Sequence, residues 1–146
     1  MAVDSYADSS FLVSLYRKDA NRAVAEAFLS RNRPMLGFSA LNRIELRNAL
    51  RNATSYGEIH EEECRAAFRQ IEHDLDEAIL VHLGFEWTRV FRRADELSER
   101  HAAREGQRAI DLLHVAIALE CGAKSFLSFD RRQRKLAAAA GLKVKP

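Results

Sequence analysis

The stretch Arg108-Ala-Ile-Asp-Leu-Leu-His-Val-Ala-Ile-Ala-Leu-Glu-Cys-Gly-Ala-Lys-Ser-Phe-Leu-Ser-Phe-Asp130 decides the fold of this chain. Apolar residues from position 110 to 121 occur on almost every side of a helix, which predicts a buried helix. Gly122 is suited to end that helix, because glycine adopts the left-handed conformation at little cost. Residues 124–129 are short, aromatic and apolar, as in an interior strand of a parallel sheet. Asp111 therefore begins a buried helix, and Asp130 follows a buried strand.

The composition is typical of one soluble domain. A chain of 146 residues can bury a real core but leaves no room for two large domains. The net charge of +2 is too small to indicate nucleic acid by itself. No basic N-terminal region precedes an apolar stretch, and no apolar run approaches transmembrane length, so we expect a cytoplasmic protein. Cys64 and Cys121 fall at apolar helical positions and are expected to be reduced.

The rest of the chain alternates short apolar segments with helical patterns. Strands are predicted at residues 2–7, 34–38, 124–129 and 142–144, and the segment 79–85 fits a strand or a loop. Helices are predicted at residues 11–16, 20–30, 40–53, 61–75, 87–100, 110–121 and 131–140, with a loop over 101–107. This alternation predicts one domain spanning residues 1–146, an α/β sandwich around a mainly parallel sheet.

Helix caps and buried faces follow from the same patterns. Ser9 or Ser10 is expected to cap the first helix, and Asp19 the second. The side chains expected to face the core are Ala20, Val24, Ala27 and Phe28 from the second helix and Leu41, Ile44, Leu46, Ala49 and Leu50 from the third.

Four acidic residues are predicted to meet at the carboxyl edge of the sheet, where parallel α/β proteins form their reactive crevice. Asp8 and Asp130 follow strands, Asp111 begins the buried helix, and Glu45 lies in the second turn of the third helix. Carboxylates that converge repel one another, and a divalent ion removes that repulsion. Because all four donors are oxygen, Mg²⁺ or Mn²⁺ is favoured, and these ions suit phosphodiester hydrolysis.

Each acid also has a purely structural interpretation. Asp8 and Asp130 are able to cap a turn or a helix, and Asp111 is able to stabilise a helix N-terminus through the backbone dipole. Glu45 alone is typical of a solvated helix residue. The catalytic interpretation therefore depends on the four acids together.

Four segments carry these acids and resemble, in order, the motifs of PIN-domain ribonucleases, most closely the VapC toxins of bacterial toxin–antitoxin pairs. The segments are Tyr6-Ala-Asp-Ser-Ser-Phe-Leu-Val-Ser-Leu-Tyr16, Ser39-Ala-Leu-Asn-Arg-Ile-Glu-Leu-Arg-Asn-Ala-Leu50, Arg108-Ala-Ile-Asp-Leu-Leu-His-Val-Ala-Ile-Ala-Leu119 and Phe126-Leu-Ser-Phe-Asp-Arg-Arg-Gln-Arg-Lys-Leu-Ala137. The resemblance implies a PIN-like three-layer α/β/α sandwich. It also implies that Asp8, Glu45, Asp111 and Asp130 are the catalytic and metal-binding acids.

The resemblance further implies a Mg²⁺- or Mn²⁺-dependent endoribonuclease toxin, with a VapB-like antitoxin and a toxin homodimer. Its substrate would be a tRNA, rRNA or mRNA, cut to leave 5′-phosphate and 3′-hydroxyl ends. Two alternatives stay open: a housekeeping RNA-processing PIN nuclease without an antitoxin, and a non-catalytic module that binds RNA or metal. A phospho-acceptor signalling domain fits less well, because Asp8 is followed by two serines and not by a second acid.

Several neighbours of the acids allow two interpretations. Ser9 and Ser128 are candidates to hydrogen-bond a carboxylate or a metal-bound water, or to cap a helix or turn. Arg108 could reach the scissile phosphate or hold a carboxylate. His114, one turn after Asp111, is predicted to be a hydrogen-bonded core histidine and not a general base.

Three arginines recur at helical spacing beside Glu45. Arg43, Arg47 and Arg51 are separated by four residues each, so they share one face of the third helix. They could track an RNA backbone or form a solvated basic face.

Overall fold

The computed structural model describes residues 3–146, except for the side chains of residues 103 and 104. The described residues form five strands, β1 (Ser5–Ala7), β2 (Leu36–Phe38), β3 (Leu80–His82), β4 (Ser125–Leu127) and β5 (Lys143–Lys145). They also form seven helices, α1 (Ser9–Tyr16), α2 (Arg22–Asn32), α3 (Ala40–Ser55), α4 (Glu61–Asp76), α5 (Trp87–Glu105), α6 (Ala109–Glu120) and α7 (Arg131–Ala139). The predicted first strand also included residue 2, which lies outside the described residues.

The five strands form one sheet in the order β3-β2-β1-β4-β5, and every pairing is parallel. The ambiguous segment 79–85 contributes β3 at one edge. From β1 the chain adds β2 and β3 on one side and then β4 and β5 on the other. The direction of winding therefore reverses between β1 and β4, which places the crevice at the carboxyl ends of these two strands.

Helices cover both faces of the sheet, which confirms the three-layer α/β/α sandwich. Alternate residues of a strand point to opposite faces, so Tyr6 and Phe126 pack with α5, α6 and α7, while Ala7 and Leu127 pack with α1 to α4. The predicted buried helix is α6, whose residues from Val115 to Ala118 are completely buried. None of the described helices is long and apolar enough to cross a bilayer.

The loop predicted over residues 101–107 is wrong in most of its length. Helix α5 continues to Glu105, and the backbone turns at Gly106, whose φ is +54°. The residues from 101 to 105 include two alanines and no helix breaker, so the helix extends to the glycine.

Two predicted caps are also wrong. Asp8, not Ser9 or Ser10, caps α1, because its carboxylate accepts the backbone N–H of Phe11 at 3.1 Å. Asp19 does not cap α2, which begins at Arg22. Its carboxylate instead accepts the N–H of residue 21 at 2.9 Å, which forms a turn before the helix.

The predicted buried faces of α2 and α3 hold only in part. Val24 is 49% exposed and Ile44 is 60% exposed. On α2 the only fully covered residue is Ala25, while on α3 Asn42 occupies a core position between Ser39 and the sheet. Helical spacing predicted which apolar residues share a face of each helix. Only some of these residues are buried against the rest of the protein.

Candidate active site

The candidate site lies where β1 and β4 end. Asp8 follows β1 directly, and its backbone N–H donates to the carbonyl oxygen of Leu127 in β4 at 3.0 Å. Ser128 and Asp130 follow β4, so the ends of two adjacent strands carry two acids and one hydroxyl between them. Helices α3 and α6 bring Glu45 and Asp111 towards the same edge, as the following contacts show.

Asp8 is almost fully buried, with 5% of its surface exposed. Its Oδ1 accepts hydrogen bonds from Ser10 Oγ at 2.6 Å and from the N–H of Phe11, and its Oδ2 accepts one from Ser128 Oγ at 2.5 Å. Burial raises the pKa of Asp8, and the three hydrogen bonds offset only part of that rise. The buried carboxylate is therefore held in one orientation in a site that disfavours its charge.

Ser128 connects Asp8 to Asp130. Its Oγ donates to Asp8 and accepts the backbone N–H of Asp130 at 3.0 Å. The carboxylate of Asp130 accepts the N–H of Gln133 at 3.0 Å and thereby caps α7. Asp130 is thus a helix cap and a neighbour of the buried acid at the same time, so its two interpretations are compatible.

Glu45 reaches the site from α3. Its Oε1 accepts a hydrogen bond from Ser9 Oγ at 2.6 Å and contacts Nε2 of His114. Burial acts to raise the pKa of Glu45, but the hydrogen bonds from His114 and Ser9, together with the charge of Arg108, lower it overall. Both contacts use Oε1. No hydrogen bond from the described residues reaches Oε2, so this oxygen is available to a ligand.

His114 lies in the candidate site, although it was not predicted from the sequence as a site residue. The side chain is buried and hydrogen-bonded, as predicted, but one of its partners is Glu45. Its Nδ1 lies 2.7 Å from the Tyr6 hydroxyl, which in turn lies 3.0 Å from Ser39 Oγ. If Tyr6 donates to Nδ1, His114 donates its Nε2–H to the carboxylate. The available signal was the spacing of one helical turn between Asp111 and His114.

Asp111 forms a two-point ion pair with Arg108. The Nε–Oδ2 distance is 2.9 Å and the Nη2–Oδ1 distance is 3.3 Å. The hydrogen bond and the charge of Asp111 raise the pKa of Arg108, and the charges of Asp130 and Glu45 raise it further. Three of the four predicted acids therefore lie close enough to act on one guanidinium group.

Gln133 and Asn42 are further neighbours of the candidate site that were not predicted from the sequence. Gln133 is buried on α7, accepts no hydrogen bond through Oε1 among the described residues, and donates from Nε2 to the backbone oxygen of Asp111 at 3.0 Å. Asn42 donates from Nδ2 to the backbone oxygen of Ala7 at 3.0 Å. These amides fix the backbone beside Asp111 and Asp8.

The three arginines of α3 point away from the site. Glu45 lies two residues from both Arg43 and Arg47, which is about 200° around a helix with 3.6 residues per turn. Arg43 and Arg47 face α4, where they lie 2.6 and 3.9 Å from Glu72. The guanidinium groups of Arg47 and Arg51 lie over the ring of Phe68, 4.1 and 5.0 Å from its centre. Their contact with RNA stays a prediction.

The chemistry of the donors fits a hard divalent cation. The four acids offer only oxygen, the donor that Mg²⁺ and Mn²⁺ prefer. No group of three His, Cys, Asp or Glu side chains within the described part of the chain is arranged as a ligand cluster. In this structure the carboxylates bond instead to Arg108, to His114 and to serine hydroxyls. A cation would compete with Arg108 for Asp111.

The fold and this acidic edge define a parallel α/β protein of the PIN class. The model of the PIN domain family matches residues 5–139. The chain therefore belongs to the PIN domain family. No curated protein matches its sequence.

Solved structures with the same fold include a VapC toxin and a VapBC protein. VapC20 of Mycobacterium tuberculosis, described as a sarcin-ricin loop cleaving toxin, has a TM-score of 0.70 and 19% identity, over 98% of this chain and 100% of VapC20. PAE2754 of Pyrobaculum aerophilum has a TM-score of 0.62 and 20% identity, over 99% and 90% of the two chains. VapBC2 of Rickettsia felis, bound to a DNA fragment from its promoter, has a TM-score of 0.66 and 14% identity, over 97% and 96%. At these identities the likeness shows the fold.

Proposed function

We propose that this protein is a VapC-type toxin, an endoribonuclease that depends on Mg²⁺ or Mn²⁺ and cleaves cellular RNA to inhibit growth. Two sets of contacts at the carboxyl edge of the sheet support this proposal. Ser128 hydrogen-bonds the carboxylate of Asp8 and the backbone N–H of Asp130. The charges of Asp111, Asp130 and Glu45 all act on the guanidinium group of Arg108. Acids arranged in this way suit a cation that activates water at a phosphodiester.

In the proposed reaction the side chains of the chain hold and orient the reactants. Asp8 is fixed by three hydrogen bonds. Glu45 stays ionised because its pKa is lowered, and its Oε2 is available to hold a water. A bound Mg²⁺ or Mn²⁺ would lower the pKa of the attacking water and neutralise charge at phosphorus. Water attack at phosphorus would leave a 5′-phosphate and a 3′-hydroxyl.

Arg108 fits a role at the substrate. Its side chain is 63% exposed although it holds Asp111 at two points. A guanidinium group matches the geometry of a phosphate as well as that of a carboxylate. On release from Asp111 it would contact the scissile phosphate.

A VapB-like antitoxin and a toxin homodimer complete the proposal. The support is the fold shared with VapBC2 and VapC20. Growth arrest on expression, relieved by co-expression of a small neighbouring gene, would support the toxin. Its absence would favour the alternative, a housekeeping RNA-processing PIN nuclease without an antitoxin.

The decisive experiment is cleavage of total cellular RNA by the purified protein in Mn²⁺ and in EDTA. Asp111→Asn, purified in parallel, controls for contaminating nuclease. Discrete fragments that require Mn²⁺ and disappear with the variant are expected. Binding of RNA without any Mn²⁺-dependent product would favour a non-catalytic RNA-binding module, and intact cleavage by the variant would contradict the assignment of the acids.

A further inference from the structure

The positive charge of this chain is concentrated at its C-terminal end. Residues 124–146 contain seven of the 23 Lys and Arg residues but only one of the 21 Asp and Glu residues, Asp130. The whole chain carries a net charge of only +2, so the preceding part is net negative. This uneven distribution of charge along the chain creates a local positive potential at its C-terminal end.

Several arginines elsewhere in the described residues are already paired with carboxylates. Arg43 and Arg47 contact Glu72, and Arg93 lies 3.0 Å from Glu120. Arg108 holds Asp111. A cation that has a carboxylate partner loses much of its attraction for an external phosphate, because binding the phosphate means breaking or sharing the existing pair.

The cations of α7 and β5 differ in this respect. We define the α7 rim as Arg131, Arg132, Arg134 and Lys145. Throughout the described part of the chain, which includes every Asp and Glu side chain, no member of this set forms an ion pair. Lys135, on the same helix, is not a member because it pairs with Glu105.

The α7 rim lies beside the candidate site. Arg131 and Arg132 are exposed and follow Asp130 directly. Arg134 donates from Nη1 to the carbonyl oxygen of Ser128 at 2.8 Å, at the end of β4. Lys145 ends β5 opposite Leu127, and its carbonyl oxygen accepts the N–H of Ser128 at 3.1 Å. The first turn of α7 and the end of β5 therefore place these four residues at the carboxyl ends of β4 and β5.

We propose that the α7 rim binds the phosphate backbone of the RNA substrate and guides it across the acidic site. This inference deepens the proposed nuclease function and rests on it. The four carboxylates repel the negatively charged RNA that has to approach them. Side-chain cations without a carboxylate partner are therefore needed beside the acids to attract the RNA. Arginine binds phosphate with its planar fork, and a backbone contact of this kind carries no sequence specificity. The rim therefore supplies affinity and orientation, not the choice of target.

The test compares two double variants that change the net charge equally. R131Q/R132Q removes two rim charges, and R89Q/R93Q removes two arginines of α5 that pair with Glu120, away from the four acids. Binding of a fluorescein-labelled single-stranded RNA is measured by anisotropy in EDTA, as a function of salt, so that no cleavage occurs. The melting temperature of each variant confirms that it is folded.

The rim variant is expected to lose affinity at least about tenfold, and its log–log salt dependence should fall by about 1.4, since each phosphate contact contributes about 0.7 for a single strand. The control variant should keep its salt dependence, and R131K/R132K should retain most of the affinity. Equal losses in R131Q/R132Q and R89Q/R93Q, or no loss in the rim variant, would overturn the inference.

The outcome for the proposed function is read separately, from Mn²⁺-dependent cleavage by the same proteins. If RNA binding depends on the rim but no protein cleaves RNA, the proposed role of the rim is supported and the nuclease function is rejected. If R131Q/R132Q cleaves RNA as well as the wild type does, with unchanged RNA affinity, the proposed role of the rim is rejected and the nuclease function is supported.

Discussion

The hydroxyl of Tyr6 lies 2.7 Å from Nδ1 of His114, deep in the core beside the candidate site. Tyr6 stands two residues before Asp8, and His114 stands three residues after Asp111. The opposite nitrogen of His114 contacts Glu45, so one buried polar chain links the three elements that carry these acids. Partners that orient a ligand from behind are typical of metal sites.

Tyr6→Phe is expected to weaken Mn²⁺ binding and RNA cleavage about 10- to 100-fold, the usual cost of losing an orienting partner. The ring and its packing stay, but Nδ1 of His114 loses its hydrogen-bond partner, so the tautomer that His114 presents to Glu45 is no longer fixed. Stability should fall by about 1–3 kcal/mol, the cost of leaving a buried polar group unpaired. Calorimetric titration with Mn²⁺ measures the first effect, and thermal unfolding the second.

Tyr16→Phe is the matched control for this prediction. Its hydroxyl donates to Asp74 at 2.6 Å, between α1 and α4. It should lower stability while leaving the affinity for Mn²⁺ unchanged. If the two variants reduce Mn²⁺ affinity equally, the buried chain acts on overall stability and not on Glu45.

Arg108→Gln is expected to tighten Mn²⁺ binding while it weakens cleavage. Arg108 occupies both carboxylate oxygens of Asp111, so a cation has to displace it. Because the arginine is largely exposed, the pair is worth at most about 1 kcal/mol, and the gain in affinity should not exceed about fivefold. Cleavage at saturating Mn²⁺ should fall, because the phosphate loses a partner.

Arg93→Gln serves as the control for Arg108→Gln, since it removes an arginine paired with Glu120 away from the acids. Neither Mn²⁺ affinity nor cleavage should change in it. Weaker Mn²⁺ binding by Arg108→Gln would mean that Arg108 orders Asp111 for the ion instead of competing with it.

Local patterns were sufficient to predict most strands and helices and the place of Asp8 and Asp130 directly after two strands. The spacing of apolar residues predicts buried strands and helices. An acid that comes directly after a predicted strand in the sequence is expected at the end of that strand. This is why α6, β4 and an α/β sandwich around a mainly parallel sheet were predicted from the sequence, and why Asp8 and Asp130 were expected at one edge. The three-layer form was implied by the resemblance to PIN-domain ribonucleases.

Contacts between distant segments were not predictable in the same way. His114 and Glu45 are 69 residues apart, and nothing in either segment specifies the pairing. The exposure of Ile44 likewise depends on which stripe of α3 meets its neighbours, and Arg43 turns to α4 because Glu72 is there. Helical spacing determines which residues share a face, whereas the partner of that face is set by the assembled fold.

Asn42→Ala is expected to destabilise the protein by about 1–3 kcal/mol, the cost of unpaired buried groups. Asn42 is fully buried, donates to the carbonyl oxygen of Ala7 and accepts from the N–H of Ser39 at 2.9 Å. Asn42→Asp keeps the acceptor but removes the donor to Ala7. If urea unfolding shows both variants to be as stable as the wild type, the amide does not anchor the backbone before Asp8.

Asp8→Asn is expected to stabilise the protein at neutral pH in EDTA. Burial raises the pKa of Asp8 above its ordinary value of 3.8, so the unfolded chain releases this proton at lower pH than the folded one. The protonated carboxyl contributes its full stabilisation below the ordinary pKa of aspartate. This stabilisation is lost as the pH rises through the pKa that Asp8 has in the folded protein. The variant does not titrate, and its Oδ1 still accepts the N–H of Phe11.

The difference in melting temperature between Asp8→Asn and the wild type should therefore be positive at pH 7 and shrink towards pH 4. Each 1 kcal/mol corresponds to about 2–4 °C for a chain of this size. Saturating Mn²⁺ should reverse the sign at pH 7, because only the wild type keeps the full set of ligands, and an ion at 100 times its Kd adds about 2.7 kcal/mol. A difference that is zero or negative at every pH in EDTA would show that the hydrogen bonds from Ser10 and Ser128 fully compensate the burial of this carboxylate.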